Sequence, residues 1–202
     1  MEQILFPSDA AYQHAQLKAV RHRGIGPYYS DEELQLIADW MRTAGMRPRR
    51  GLCHGARGGH EVRTFRKLIP GAYVLGTDLF PYSGKTAGTG SAGDVIAWDF
   101  SQRRRRWRRR WDWVYSNSLD HARRPEQTLA VWYGQLNREG RLFVQWTYSH
   151  RWAAGGDCFG ASLDEYAVLM NEAGTLEAIL VALGVQSRRS HDAFILVGKR
   201  RV

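Results

Sequence analysis

The stretch Gly51–Asp78 constrains this chain more than any other. A short β-like run enters the glycine-rich turn GLCHGARGGHE (Gly51–Glu61), a helix-forming segment follows, and a second β-like run, GAYVLGTD, ends on the acid Asp78. A strand, a glycine turn, a helix, and a second strand with an acid about twenty residues on form a unit suited to gripping a nucleoside. Glycines let the backbone pass close to a ligand, and the helix start offers N–H groups with no partner inside the helix. The terminal acid is placed to accept hydrogen bonds from two ribose hydroxyls.

The rest of the chain extends this unit. Ser8–Val20 can form a first helix, and Ser30 opens S-D-E-E, a capping-box pattern that starts an amphipathic helix to about Ala44. Strands are expected over Arg50–His54, Ala72–Thr77, Asp94–Trp98, Trp111–Ser116 and Gly140–Tyr148. Helices are expected over Gly59–Leu68, Glu126–Asn137 and Ser162–Ala173, and Pro81–Gly93 reads as a loop. Two last apolar runs, Leu176–Val185 and Ala193–Gly198, can pair as a hairpin, although part of the first also suits a helix. Alternating strands and helices predict an α/β fold. The expected form is a Rossmann-like three-layer sandwich with a mostly parallel seven-stranded sheet, closed by an antiparallel C-terminal hairpin. The chain divides into an N-terminal helical cap (1–46) and a Rossmann-like core (47–202) within one domain. Ligands in such sheets bind beyond the carboxyl ends of the strands. His54–Gly59, Asp78, Asp99 and Asn117 should therefore converge on one cleft.

Bulk properties narrow the class. The 202 residues suffice for one substantial core, and the two cysteines, Cys53 and Cys158, are far apart in sequence and suggest no disulfide framework. The N-terminus lacks a basic stretch followed by an apolar one, and no apolar run approaches the roughly 18–20 residues of a membrane span. The expectation is a soluble, cytoplasmic protein. The net charge of +9 is local: seven arginines fall in Arg103–Arg110, and without them the balance is +2. No His, Cys or carboxylate group shows metal-ligand spacing in sequence, so no metal is expected.

Taken in order, these motifs resemble the class I S-adenosylmethionine-dependent methyltransferases from Gly51 to the C-terminus. The family's first motif is usually acid-x-Gly-x-Gly-x-Gly. Here Gly55, Arg57 and Gly59 hold the glycine positions, and Cys53 stands at the acid. The resemblance implies S-adenosylmethionine as cofactor, with the turn Gly55, Ala56, Arg57 and Gly59 against it. It further implies Asp78 on the ribose hydroxyls and Leu79 on the adenine face. Asp99 would meet the adenine amine, with the Phe100 N–H beside it, and Asn117 follows the fourth core strand. WDWVYSNSLDH (Trp111–His121) resembles the fourth-strand motif of the small-molecule branch, with Leu119–His121 at its Leu-Glu-His, and RRPEQTLAVWYGQLNREGRLFV resembles the family's segment of helix, leucine, x-x-x-Gly and apolar strand.

Methyl transfer is an in-line attack that needs alignment, a dry pocket and an outlet for the acceptor's proton. His121, Asp120 and Asp157 are the candidate catalytic groups. Tyr148, His150 and Trp152 line the region after strand five, and Tyr28 and Tyr29 are candidates for a lid. A small-molecule or glycan-like acceptor is the leading expectation, because no Asn-Pro-Pro-Tyr or Asp-Pro-Pro-Tyr follows strand four. The alternatives are an RNA methyltransferase footed on Arg103–Arg110, where arginines interleave with Trp107, and a methyltransferase-like protein that binds without turnover.

Overall fold

Hydrophobic patterning places the elements, and long-range pairing orders them. The structure is a computed structural model, and it describes residues 1–22, 30–81, 94–183 and 192–201. The strands are β1 (Glu2–Gln3), β2 (Arg50–His54), β3 (Tyr73–Asp78), β4 (Val95–Ala97), β5 (Trp111–Ser116), β6 (Leu136–Thr147), β7 (Phe159–Gly160), β8 (Thr175–Ala182) and β9 (Ala193–Lys199). The helices are α1 (Asp9–His22), α2 (Asp31–Thr43), α3 (His60–Leu68), α4 (Pro125–Gln135) and α5 (Leu163–Ala173).

Seven strands form one sheet in the order β4-β3-β2-β5-β6-β9-β8. The first five are mutually parallel, and β9 runs antiparallel to both β6 and β8. The expected fold class is therefore the observed one, and the first of the two C-terminal runs resolves as strand. One face packs Leu34, Ile37 and Met41 of α2 and Val62 and Phe65 of α3 against Val74, Trp113 and Phe143. The other packs Leu129 and Trp132 of α4 and Tyr166 and Leu169 of α5 against Leu52, Val114 and Leu142.

The chain moves outward from β2 to β3 and β4, then returns to place β5 on the opposite side of β2. That reversal opens a crevice beyond the carboxyl ends of β2 and β5. Ser30 caps α2 as its sequence signals, its Oγ accepting from the Glu33 N–H at 3.3 Å. The Glu33 carboxylate turns into the core, where Gln145 Nε2 donates to it at 2.6 Å and Tyr115 donates to Gln145 Oε1 at 2.9 Å.

Two expectations are corrected locally. The four-residue spacing of Trp107 and Trp111 would put both on one face if the segment were a helix, but Arg105–Trp107 is a single 3-10 turn and Trp111 begins β5. Their indoles still pack edge-on at 6.1 Å. Arg104 lies over both Trp98 and Trp107, at 4.9 and 4.6 Å from the ring centroids. β6 also begins four residues early, at Leu136, because that residue pairs with Trp111 across a register shift. The Pro81–Gly93 loop beyond Pro81 lies outside the described residues, as do Tyr28 and Tyr29.

Sequence patterning gave no sign of β1. It pairs antiparallel with β7, Glu2 opposite Gly160 and Gln3 opposite Phe159. Ile4 N–H adds a bond to the Cys158 carbonyl at 2.8 Å. Two residues are too short to carry a visible alternation, and their partner lies more than 150 positions away. Among the described residues no helix is long and apolar enough to cross a membrane.

Candidate active site at the carboxyl edge of the sheet

The glycine turn leaves β2 at His54. Gly55 (φ +73°) and Gly59 (φ +70°) both occupy the left-handed region, and a Cβ at Gly55 would collide with the Ser118 side chain. Arg57, at the middle glycine position, is also left-handed at φ +29°. The turn is tied to β3 twice: Ala56 N–H donates to the Thr77 carbonyl at 2.9 Å, and Arg57 N–H to Asp78 Oδ2 at 3.1 Å. Asp78 Oδ1 accepts from Phe80 N–H at 2.8 Å. Burial raises the Asp78 carboxyl above its ordinary value, and the Phe80 and Arg57 N–H groups, together with the charge of His121, oppose that rise.

His54, inside the first motif, faces the core. Its Nε2 donates to Gln135 Oε1 at 2.9 Å, which leaves Nδ1 to accept from Thr77 Oγ1 at 2.8 Å, and the ring stacks on Trp132 at 5.3 Å. Burial lowers its pKa to about 4.

The neighbouring strand ends complete the crevice. Asp99 Oδ1 accepts from both the N–H and the hydroxyl of Ser101, at 2.9 and 2.6 Å, which fixes the turn after β4. Phe100 is buried edge-on against Trp132, whose indole N–H donates to the Phe100 carbonyl at 3.1 Å. Asn117 Oδ1 accepts from Ser118 Oγ at 2.9 Å. Leu79 is half-buried between Asp78 and Phe80. A cavity of about 650 Å³ lies on the α4 side of Asp99 and Phe100, lined also by Tyr12, Arg123, Thr128 and Val131, and its lining does not include the glycine turn, Asp78 or His121.

Beyond β5 and β6 the chain brings Asp120, His121 and Asp157 together, each offering a ligand atom within 4.8 Å of the others. His121 Nδ1 donates to the Gly156 carbonyl at 3.0 Å and lies 3.5 Å from Asp157 Oδ1. A carbonyl only accepts, so the Nδ1 carries the proton and the lone pair sits on Nε2. The His121 carbonyl accepts from Tyr12 Oη at 3.0 Å and Cys158 Sγ at 3.1 Å. Gln16 Nε2 donates to the Gly156 carbonyl as well. His150 Nε2 stands 3.9 Å from Asp120 Oδ2, while Tyr148 and Trp152 are largely exposed.

The residues expected at the site thus lie along one edge, and the three candidate catalytic groups form one cluster. Sequence reasoning missed Tyr12 and Gln16 of α1. Asp99 and Asp78 both act on the Tyr12 phenol, which burial raises above its ordinary value. The helical signal over Ser8–Val20 was present, but nothing in it said where the helix docks.

No protein-family model and no curated protein sequence matches the chain. Solved structures do match it. Burkholderia thailandensis 1,6-didemethyltoxoflavin-N1-methyltransferase, with bound 1,6-didemethyltoxoflavin and S-adenosylhomocysteine, is 17% identical at a TM-score of 0.71, over 98% of this chain and 93% of that one. A TehB-like SAM-dependent methyltransferase from Corynebacterium glutamicum is 20% identical at a TM-score of 0.60, over 93% and 98%. A sugar N-methyltransferase from Streptoalloteichus is 16% identical at 0.60, over 91% and 92%. The chain has the fold of these enzymes across nearly its whole length.

Proposed function

We propose that the chain is an S-adenosylmethionine-dependent methyltransferase acting on a small-molecule or glycan-like acceptor. The observation that carries the reading is the lock between the glycine turn and Asp78, set at the switch point of the sheet and beside the Asp120–His121–Asp157 cluster. The shared fold and the cavity lined by Asp99 and Phe100 support it.

The residues present fit the cofactor. The left-handed turn at Gly55–Gly59 exposes backbone to a ligand, and Asp78 retains lone pairs for ribose hydroxyls after accepting its two N–H groups. Leu79, Asp99 and Phe100 would hold the adenine, Asn117 would border the reacting end, and Tyr12 would close the outer wall. When bound, S-adenosylmethionine supplies a sulfonium methyl that an acceptor attacks in line, the carbon–sulfur pair returning to sulfur. The protein aligns the acceptor, excludes water and receives the acceptor's proton at the Asp120–His121–Asp157 cluster. His121 suits that task because Gly156 fixes its tautomer and Asp157 stabilises the protonated ring.

Calorimetry with S-adenosylmethionine and S-adenosylhomocysteine tests the reading. The expected result is micromolar binding that falls by about 1.5–3 kcal/mol in Asp78→Ala, the scale of charge-assisted hydrogen bonds. No binding to either compound overturns it.

A further inference from the structure

The turn after β5 supplies Asp120 and His121, and the loop after β6 supplies Asp157. Two carboxylates this close, one buried and one half-buried, repel each other unless positive charge stands between them. Asp120 is 5% exposed, and its Oδ1 is inaccessible and has no hydrogen-bond partner among the described residues. The hydroxyl of the fully buried Tyr166, whose ring stacks on His150, is likewise without a hydrogen-bond partner among the described residues. A hydrogen bond left unmade at a buried polar atom is destabilising, because the group has given up water and gained no partner. A buried carboxylate oxygen without a partner, inside a cluster of ligand atoms, is a place a ligand can satisfy.

We propose that Asp120, His121 and Asp157 coordinate a divalent cation of mixed nitrogen and oxygen preference, of the Mn²⁺ or Zn²⁺ kind. Two ligands about 2.1 Å from one cation stand roughly 3.0–3.5 Å apart, so the 4.8 Å cluster closes onto a cation by small side-chain rotations. A coordinated imidazole keeps its second ring nitrogen on a protein acceptor, and the Gly156 carbonyl is such an acceptor. Gln16 steadies that carbonyl from α1, and His150 stands next to Asp120. Cys158 spends its Sγ on the His121 carbonyl, which leaves a set without sulfur.

The cation's role, though not its coordination, rests on the methyltransferase reading. Beside the acceptor it favours one that carries a hydroxyl. It lowers the pKa of that group, so the proton leaves to water before the oxygen attacks the methyl carbon. With the cation bound the His121 lone pair is spent on the metal, so the cluster anchors the acceptor and the proton goes to water in place of the ring.

Titration of the chelator-treated full chain with Mn²⁺, read by electron paramagnetic resonance with Zn²⁺ as competitor, tests the site. The expected result is one tight Mn²⁺ per chain in the native protein and in Asp78→Ala. Binding should weaken at least about tenfold in Asp157→Asn and Asp120→Asn, both still binding S-adenosylhomocysteine. The Asp157 side chain is 24% exposed, so its variant is the gentler one for folding. Absence of Mn²⁺ and Zn²⁺ binding at millimolar concentration in the native protein, or unchanged binding in both variants, overturns the proposal. A protein that binds the metal but neither S-adenosyl compound keeps this site and loses the methyltransferase reading. One that binds S-adenosylhomocysteine and no metal does the reverse.

Discussion

Tyr12 donates its phenolic hydrogen bond to the main-chain carbonyl of His121 at 3.0 Å, across 109 positions of sequence. The first helix is thereby tied to the residue we propose as proton acceptor. Arg123 reinforces the tie, pairing with Asp9 and lying over the Tyr12 ring at 5.3 Å. Tyr12→Phe keeps the ring and deletes only the hydrogen bond. The expected loss is about 0.5–1.5 kcal/mol of stability by urea denaturation, with a lower turnover once an acceptor is known. Unchanged stability and turnover would show that α1 docks without positioning His121.

Gly55→Ala places a methyl group where φ is +73° and the Ser118 side chain already sits. A cost of about 1–3 kcal/mol in unfolding free energy is expected from the backbone strain, with weaker binding of S-adenosylhomocysteine as the turn shifts. Gly45→Ala is the control: that residue has a similar φ of +71° with open space around it, so it pays strain without the collision. Equal effects of the two substitutions would remove the close approach from the argument.

Two buried titratable groups oppose each other in their pH dependence. His54 ionises near 4 in the folded chain because burial disfavours its charged form, against an ordinary value of 6.5. The unfolded chain binds that proton first, so stability present above 6.5 is lost as pH falls toward 4. Glu33 is raised from 4.5 to about 7, again by burial. The folded chain holds that proton longer, so this contribution is full below 4.5 and lost as pH rises toward 7. The two slopes cancel between 4.5 and 6.5. Relative to the native protein, Glu33→Gln should make stability rise with pH there by up to about 1.4 kcal/mol per unit. His54→Gln should make it fall. Urea midpoints measured across pH 4–8 check both signs.

The arginine run divides in two. Arg104 is half-buried between Trp98 and Trp107, whereas Arg103, Arg105, Arg106 and Arg108–Arg110 are exposed. Arg104→Ala should cost about 1 kcal/mol of stability through the lost cation–π packing. Changing Arg105, Arg106 and Arg108 to Gln should leave stability within about 0.5 kcal/mol. The same triple variant addresses an RNA acceptor. Salt-dependent RNA binding that it abolishes would favour that alternative over a small molecule, and no RNA binding by the native chain would retire it.

Much of the candidate site's layout was legible because its contacts are local. The glycine turn and Asp78 are 21 positions apart and joined by one helix, so their meeting follows from the strand–turn–helix–strand pattern itself. β2 and β5 begin and end where hydrophobic patterning and turn residues place them. Elements whose ends depend on a distant partner drifted: β6 starts at Leu136 because Trp111 extends the pairing. Arg105–Trp107 is a short turn where four-residue spacing had suggested one helical face, since two tryptophans can pack together from a turn and a strand.

The sequence by itself determined the order of elements, the parallel sheet with its closing hairpin, and the line of residues along its carboxyl edge. Periodicity and turn chemistry are properties of neighbouring residues, and they survive without knowledge of the rest of the chain. Tertiary structure alone decided that Asp157 joins Asp120 and His121, the latter 36 positions back, and that the Glu33 carboxylate meets Gln145, 112 residues on. It also decided that the N-terminus reaches the site through β1 and Tyr12. Such contacts come from burial and long-range backbone pairing, whose energy belongs to the assembled fold and leaves no mark on any local stretch of sequence.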